Sequence, residues 1–259
     1  MNALAARRRH PAAIVILLLL GLVVTGGIYA FVAPKPAQAA VASADDVAAG
    51  KKLFLANCST CHGANAQGGP AGPSLAGVGA ASVDFQVGTG RMPLSNPGVQ
   101  AMRKPNKFTD EQTKQIAAYV ASLSPGPAIP EATYTSGEGN IAKGGELFRV
   151  NCAMCHNYAG SGGALTRGKY APSLHNVTGT HIYEAMVSGP QSMPVFNDAN
   201  ITPENKRDII AFLHNIDKNE NVGGLNLGNF GPVSEGLLAW TFGIGVLIAL
   251  SVWLGKKAA

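Results

Sequence analysis

Charge and aromatic side chains are both scarce in this chain. Charged residues make up 14% of its 259 positions and aromatics 7%, and there are only four cysteines. So few aromatics beside 32 glycines exclude a large aromatic-rich core. No run of alternating polarity marks a sheet. The hydrophobic fraction of 46% and a positive mean hydropathy exclude a disordered polar chain. The length leaves room for two small domains, and long apolar segments account for much of the hydropathy.

Basic residues outnumber acidic ones by 20 to 15, for a net charge of +5. The surplus is not a patch. Residues 45–123 hold seven Lys/Arg against five Asp/Glu, and residues 137–220 hold seven against eight. The rest comes from Arg7, Arg8, Arg9, Lys35, Lys256 and Lys257 against Glu131 and Glu235. Charge placed at the two ends belongs to membrane flanks, and the middle carries no nucleic-acid footprint.

Residues 13–33 and 236–255 are uncharged apolar runs of 21 and 20 residues, each long enough to cross a bilayer as a helix. Arg7, Arg8 and Arg9 precede the first, and Lys256 and Lys257 follow the second. Cytoplasmic flanks attract Lys and Arg, so both ends are expected inside the cell membrane and the middle on its extracytoplasmic side. Trp240 and Trp253 near the ends of the second run favour the interface over a buried core. For the first run a cleaved signal competes with a retained anchor, because Ala37-Gln38-Ala39 has the form of a signal-peptidase site.

A repeat organises the middle. The segment from Gly50 to His62 and that from Gly144 to His156 share seven of thirteen residues, with the cysteines 94 positions apart. Pro73-Ser74-Leu75 recurs as Pro172-Ser173-Leu174, and Arg91-Met92-Pro93 as Ser192-Met193-Pro194, in the same order. This is domain duplication. Helix starts are expected at Ser43, Thr109 and Thr202, the last followed by Pro203. Val47, Gly50, Leu53 and Phe54 share one helical face, as do Ile116, Tyr119, Val120 and Leu123, and Ile209, Phe212, Leu213 and Ile216. Phe54 is expected to meet Tyr119, and Phe148 to meet Phe212, where first and last helices cross. The expected architecture is all-α. Residues 1–40 form an anchor or signal segment, 41–124 a first domain, 125–136 a Pro-rich linker, 137–221 a second domain, and 236–255 a C-terminal transmembrane helix.

All four cysteines fall in two CxxCH motifs, Cys58/Cys61/His62 and Cys152/Cys155/His156. None is left for a structural disulfide. The motif is that of covalent haem c: two thiols add to the haem vinyl groups, and the next imidazole becomes a fixed axial ligand. A thioredoxin-like site expects a βαβ context, and a zinc site needs both pairs together or further ligands. The sequence therefore predicts two covalently attached haem c groups, with His62 and His156 on the irons.

The sixth iron position calls for a soft or imidazole ligand from a later loop. Met92, in Gly90-Arg91-Met92-Pro93, suits the first copy, with Met102 as the alternative; the following proline keeps it out of a regular helix. Met193 holds the equivalent place in the second copy, against Met186, His175 and His181. His214 is expected to be an ordinary helix histidine and Met154 part of the turn between the thiols. Met/His ligation suits electron transfer and leaves no open site for oxygen or peroxide chemistry.

The tandem motifs, the Gly-Arg-Met-Pro and Gly-Pro-Gln-Ser-Met-Pro segments, Lys206-Arg207-Asp208-Ile209 and the C-terminal anchor resemble one family. It is the dihaem cytochrome c subunit of the actinobacterial menaquinol–cytochrome c reductase, the cytochrome bcc complex. The resemblance runs from Arg7 to Lys257. It implies two tandem cytochrome c-like domains, thioether attachment at Cys58, Cys61, Cys152 and Cys155, and axial His62, Met92, His156 and Met193. It also implies that the Pro73 and Pro172 carbonyls accept hydrogen bonds from the proximal imidazoles. The implied partners are a cytochrome b subunit, a Rieske iron-sulfur subunit and an aa-type terminal oxidase. Electrons would run from the Rieske centre through two haems in series to the oxidase, within a proton-translocating reductase and with no substrate chemistry by this chain alone. Other classes remain open: a membrane-tethered dihaem carrier serving another dehydrogenase or reductase, or a haem sensor or peroxidase in which one methionine dissociates.

Overall fold

The computed structural model describes residues 11–32, 42–96, 98–218 and 232–258. Arg7, Arg8, Arg9 and Ala37-Gln38-Ala39 lie outside the described residues. The chain divides into two units between residues 37 and 38. In the first unit, helix α1 spans Pro11–Val32 and is apolar and exposed. The Thr25 hydroxyl donates back to the Gly21 carbonyl at 2.6 Å, which satisfies it within the helix.

In the second unit each copy of the repeat is framed by a first and a last helix. In the first copy these are α2 (Ala44–Asn57) and α5 (Asp110–Leu123), with α3 (Ser59–His62) and α4 (Gly79–Gly88) between them. The second copy has α6 (Ala132–Thr135), α7 (Ile141–Asn151), α8 (Ala153–His156), α9 (Gly179–Ser188) and α10 (Pro203–Lys218). The expected starts hold. Ser43 caps α2 by accepting from the Asp46 N–H, Thr109 and Gln112 form a reciprocal capping box on α5, and α10 begins at Pro203.

The frame closes where the helices cross. A Cβ on Gly50 would strike the Gln115 carbonyl, and one on Gly144 the Asp208 carbonyl, so in both copies only glycine admits this approach. Next to each glycine sits the expected aromatic pair: Phe54 with Tyr119 at 5.3 Å, and Phe148 with Phe212 at 5.5 Å between ring centroids. Asp208 adds a tie in the second copy, its carboxylate accepting from the Asn140 N–H at 2.9 Å. Asn140 in turn caps α7.

One detail departs from the all-helical expectation. Spacing between the copies grows from 94 at the cysteines to 99 at Pro73 and Pro172, so the second copy carries five extra residues there. They fold as a two-residue antiparallel ribbon, β1 (Gly163–Ala164) against β2 (Tyr170–Ala171). In the first copy a single bridge, Gly69 to Gly72, closes the shorter loop.

The two copies pack on each other through α4 and α9. Gln100 of the first donates to the Tyr170 carbonyl at 2.8 Å and accepts from the Tyr170 N–H at 2.9 Å. This side-chain amide prolongs the β2 edge across the interface. The proline-rich stretch between the copies lies against the start of α4, where the Ala81 N–H donates to the Pro127 carbonyl at 3.1 Å.

Beyond the second copy, α11 (Pro232–Leu238), a π turn (Ala239–Ile244) and α12 (Gly245–Ala258) follow one another without a break. Residues Val233–Lys257 are long and apolar enough to span a bilayer, as are Ala12–Phe31. Lys257 Nζ lies 4.5 Å from the centre of the Trp253 ring, which joins an interfacial indole to a basic flank.

Replacing Gly144 by Ala should cost about 1–3 kcal/mol, the usual range for forcing a methyl into a closed contact. Gly98→Ala, whose Cβ would meet only ordinary van der Waals contact, should cost almost nothing. Thermal unfolding of the purified protein, followed by circular dichroism, measures both. Equal midpoints for the two variants would mean that the crossing tolerates a side chain.

Candidate haem-binding sites

Each first helix ends on the first cysteine of its motif. The Cys58 N–H bonds the Phe54 carbonyl at 2.8 Å, and the backbone then turns again, with the Cys61 and His62 N–H groups both on the Cys58 carbonyl at 3.2 and 3.0 Å. Cys152, Cys155 and His156 repeat these bonds at 2.8, 3.1 and 2.9 Å. The turn leaves Cys61 and Cys155 exposed and Cys58 and Cys152 half-buried, and none of the four is joined in a disulfide. Burial, with the second cysteine nearby, pushes the Cys58 thiol up to about 11 and the Cys152 thiol up to about 12. Both shifts disfavour the thiolate form at Cys58 and Cys152.

The histidines are aimed by backbone carbonyls. His62 Nδ1 lies 2.8 Å from the Pro73 oxygen, and His156 Nδ1 lies 3.0 Å from the Pro172 oxygen. A carbonyl only accepts, so each Nδ1 carries the proton and each Nε2 keeps a lone pair for a metal. Burial holds the His156 pKa below the ordinary histidine value and so favours the neutral, ligating form, and the Pro172 bond offsets part of that shift.

What brings each proline back to its histidine is a glycine six residues after the motif, which the sequence reading did not single out. Gly68 (φ +84°) donates to the His62 carbonyl at 2.7 Å, and Gly162 (φ +83°) donates to the His156 carbonyl at 2.9 Å. A Cβ on either would run into the backbone of the Pro-Ser segment that follows. The identical offset in both copies was the available signal.

Both expected methionines stand on loops outside helices. Met92 packs on the first core with Cys58, Leu75 and Val78, and its N–H bonds the Gln86 carbonyl at 2.9 Å. Its loop is pinned by Gly90 (φ +68°), closed against the Lys104 carbonyl, and by Lys104 Nζ on the Pro93 oxygen at 2.8 Å. Met193 packs on the second core with Cys152, and its N–H closes a turn on the Pro190 carbonyl at 3.0 Å. Buried Lys206 braces that loop through Asp198 Oδ1 at 2.7 Å and the Ile201 carbonyl at 2.6 Å.

The alternatives make other contacts. Met102 is exposed, with its sulfur accepting from the Tyr170 hydroxyl at 3.0 Å. His175 Nδ1 pairs with Asp217 at 2.6 Å, and His214 lies 3.3 Å from the Val177 carbonyl. Met186 is a buried core residue that also reaches the second cavity. His181 also lines the second cavity, with its Nε2 3.9 Å from Asp84 Oδ2 of the first copy. Met154, between the thiols, is 92% exposed.

Cys152, Cys155, His156 and Met193 all line one cavity whose walls include Phe148, Leu174, Ile182, Ile209 and Leu213. Two thiols, an imidazole with a free Nε2 and a thioether around an apolar slot fit a covalently held haem. Part of this cavity belongs to the other copy: Phe85, Thr89, Arg91, Gln100 and Arg103 also line it. Arg91 is 9% exposed and stacks on Phe85 at 4.7 Å. It directly precedes Met92 in the chain, so one dipeptide touches both sites. No pattern along the sequence pointed to this shared wall.

Comparison with known proteins agrees with these sites. Residues 47–124 match the family described as "Cytochrome c", and residues 139–213 match "Cytochrome C oxidase, cbb3-type, subunit III". The cytochrome bc1 complex cytochrome c subunit of Corynebacterium efficiens is 45% identical over 251 residues, covering 90% of this chain and 85% of that one. Its counterpart in Corynebacterium diphtheriae is 43% identical, covering 98% of this chain and 97% of the relative. That of Mycobacterium tuberculosis is 44% identical over 250 residues, covering 93% and 89%. With two cytochrome c domains, two apolar helices near its ends and relatives of this kind aligned along most of its length, the chain belongs to the family of cytochrome bc1 complex cytochrome c subunits.

Proposed function

We propose that this chain is the electron-transfer subunit of a membrane-bound quinol–cytochrome c reductase, with a haem c in each of two domains. Electrons run from the Rieske iron-sulfur subunit through the two haems in series to an aa-type terminal oxidase, beside a cytochrome b subunit. The first domain comprises residues 41–124 and the second residues 137–221, joined by 125–136. Cys58, Cys61, His62 and Met92 hold one haem, and Cys152, Cys155, His156 and Met193 hold the other. The bound haem supplies a one-electron iron couple.

The chain's own residues fix the conditions for that couple. The thiols anchor the cofactor edge, the Pro73 and Pro172 carbonyls lock the imidazoles in one tautomer, and the braced loops present the thioethers. Met/His ligation favours reduced iron and leaves no position for a substrate. Proton translocation belongs to the assembly, and this chain carries out no substrate chemistry. The observation that carries the serial reading is the shared wall of the second cavity, where Arg91 reaches in beside the first site's Met92. A carrier whose domains worked independently would have no need of such a junction.

A pyridine haemochrome assay on acid-acetone-extracted protein should give two haems per polypeptide, falling to one in Cys155→Ala; a single haem in the unmodified chain would defeat the assignment. Purification in mild detergent should bring an iron-sulfur subunit and a cytochrome b along with the chain, whereas isolation alone would favour a free carrier.

Both ends are placed on the cytoplasmic face and both domains outside it. Protease added to intact spheroplasts should therefore digest the middle and spare a tag on the C-terminus. A protected middle would reverse the topology.

A further inference from the structure

The face between the two domains holds a group of side chains outside the proposed haem ligand sets. Asp84 comes from α4 of the first domain, and His181 and Glu184 come from α9 of the second. Three residues apart on a helix, His181 and Glu184 lie on one face. One donor atom from each of the three lies within 4.8 Å of the other two. Glu184 is 0% exposed, yet neither of its carboxylate oxygens has a hydrogen-bond donor. The charged group acting on it is a second carboxylate, Asp84, and burial, that like charge and a loose carboxyl–carboxylate hydrogen bond with Asp84 push the Glu184 pKa up to about 10. His181 Nε2 stands 3.9 Å from Asp84 Oδ2, too far for a hydrogen bond. Two donors sharing a zinc ion by bonds of about 2.0–2.2 Å stand about 3.3–3.6 Å apart in tetrahedral geometry; the His181–Asp84 pair is a few tenths of an ångström wider than that, and the full set of three closes with movements of up to about an ångström.

We propose that Asp84, His181 and Glu184 form a zinc site that bridges the two domains. The chemistry of the ligands selects the ion. One imidazole and two carboxylates match a borderline divalent cation, whereas calcium would take six to eight oxygens. Two carboxylates and a neutral imidazole balance the double charge, which is what a nearly dry interface requires. The other charged groups acting on His181 are Arg103, Arg91 and Asp110. The arginines are directed to the second cavity, which both of them line. A water completes the fourth position. The consequence is mechanical: one ion ties α4 to α9 beside the wall that the first domain lends to the second cavity. The proposal rests on the reading that Met193, and not His181, is the axial ligand of the second haem.

The full-length, haem-loaded chain, purified in detergent and dialysed first against zinc chloride and then against zinc-free buffer without chelator, should retain one zinc per chain by plasma mass spectrometry. Glu184→Gln and Asp84→Asn should each weaken zinc retention by more than about tenfold. Haem content should stay at the level of the unmodified protein in both. Absence of retained zinc in the unmodified protein, or equal retention in the variants, would overturn the site and leave a carboxyl pair sharing a proton. Should either variant lose haem through misfolding, zinc K-edge absorption on the unmodified protein decides. One imidazole nitrogen with oxygen neighbours at about 2.0–2.1 Å supports the site, and sulfur or six-oxygen coordination contradicts it.

Discussion

Each haem domain depends on a first and a last helix that cross so closely that no Cβ fits between them. Gly50 and Gly144 permit the approach, and the aromatic pairs Phe54/Tyr119 and Phe148/Phe212 fill the angle beside it. The rest follows from that fixed frame. The first helix ends on a cysteine, which places the thiols and the histidine at the mouth of the domain. The last helix presents Ile116 and Val120, or Ile209 and Leu213, to the core facing that mouth. Units this small have little core of their own, so an apolar cofactor slot and the loops around it complete what the helices begin.

Much of this was legible along the chain because it depends on local rules. Helical spacing exposed the crossing faces, caps at Ser43 and Thr109 marked the helix starts, and two CxxCH motifs in equivalent places defined the chemistry. Other features were hidden for a physical reason. His181 could be weighed only as an imidazole in reach of an iron, since nothing in the sequence announces that α9 packs on α4 and brings it to Asp84. Arg91 looked like a neighbour of Met92, but its side chain serves the other domain's cavity. The ribbon of β1 and β2 arises from five inserted residues too short to show an alternating pattern. Contacts between domains leave no period in the sequence, whereas faces within a helix do.

The junction between domains gives the duplication its purpose. Two unconnected cytochrome domains would serve as two carriers, each meeting partners separately. Here the α4–α9 packing, the reciprocal Gln100–Tyr170 pair and the shared wall around Arg91 make a single two-site body. Such a body holds the second site next to the first without a search by diffusion. A membrane helix then keeps the pair at the surface where a quinol-oxidising complex works.

The central claim is that electrons must pass the first haem to reach the second, and rapid mixing of the purified assembly with quinol tests it most directly. With Met92 as the proposed axial ligand, Met92→His should lower the potential of the first haem, because imidazole stabilises reduced iron less than thioether does. The serial account predicts that this one substitution slows reduction of both haems while the iron-sulfur centre still fills. Reduction of the second haem at its normal rate in Met92→His would show an independent entry point and contradict it.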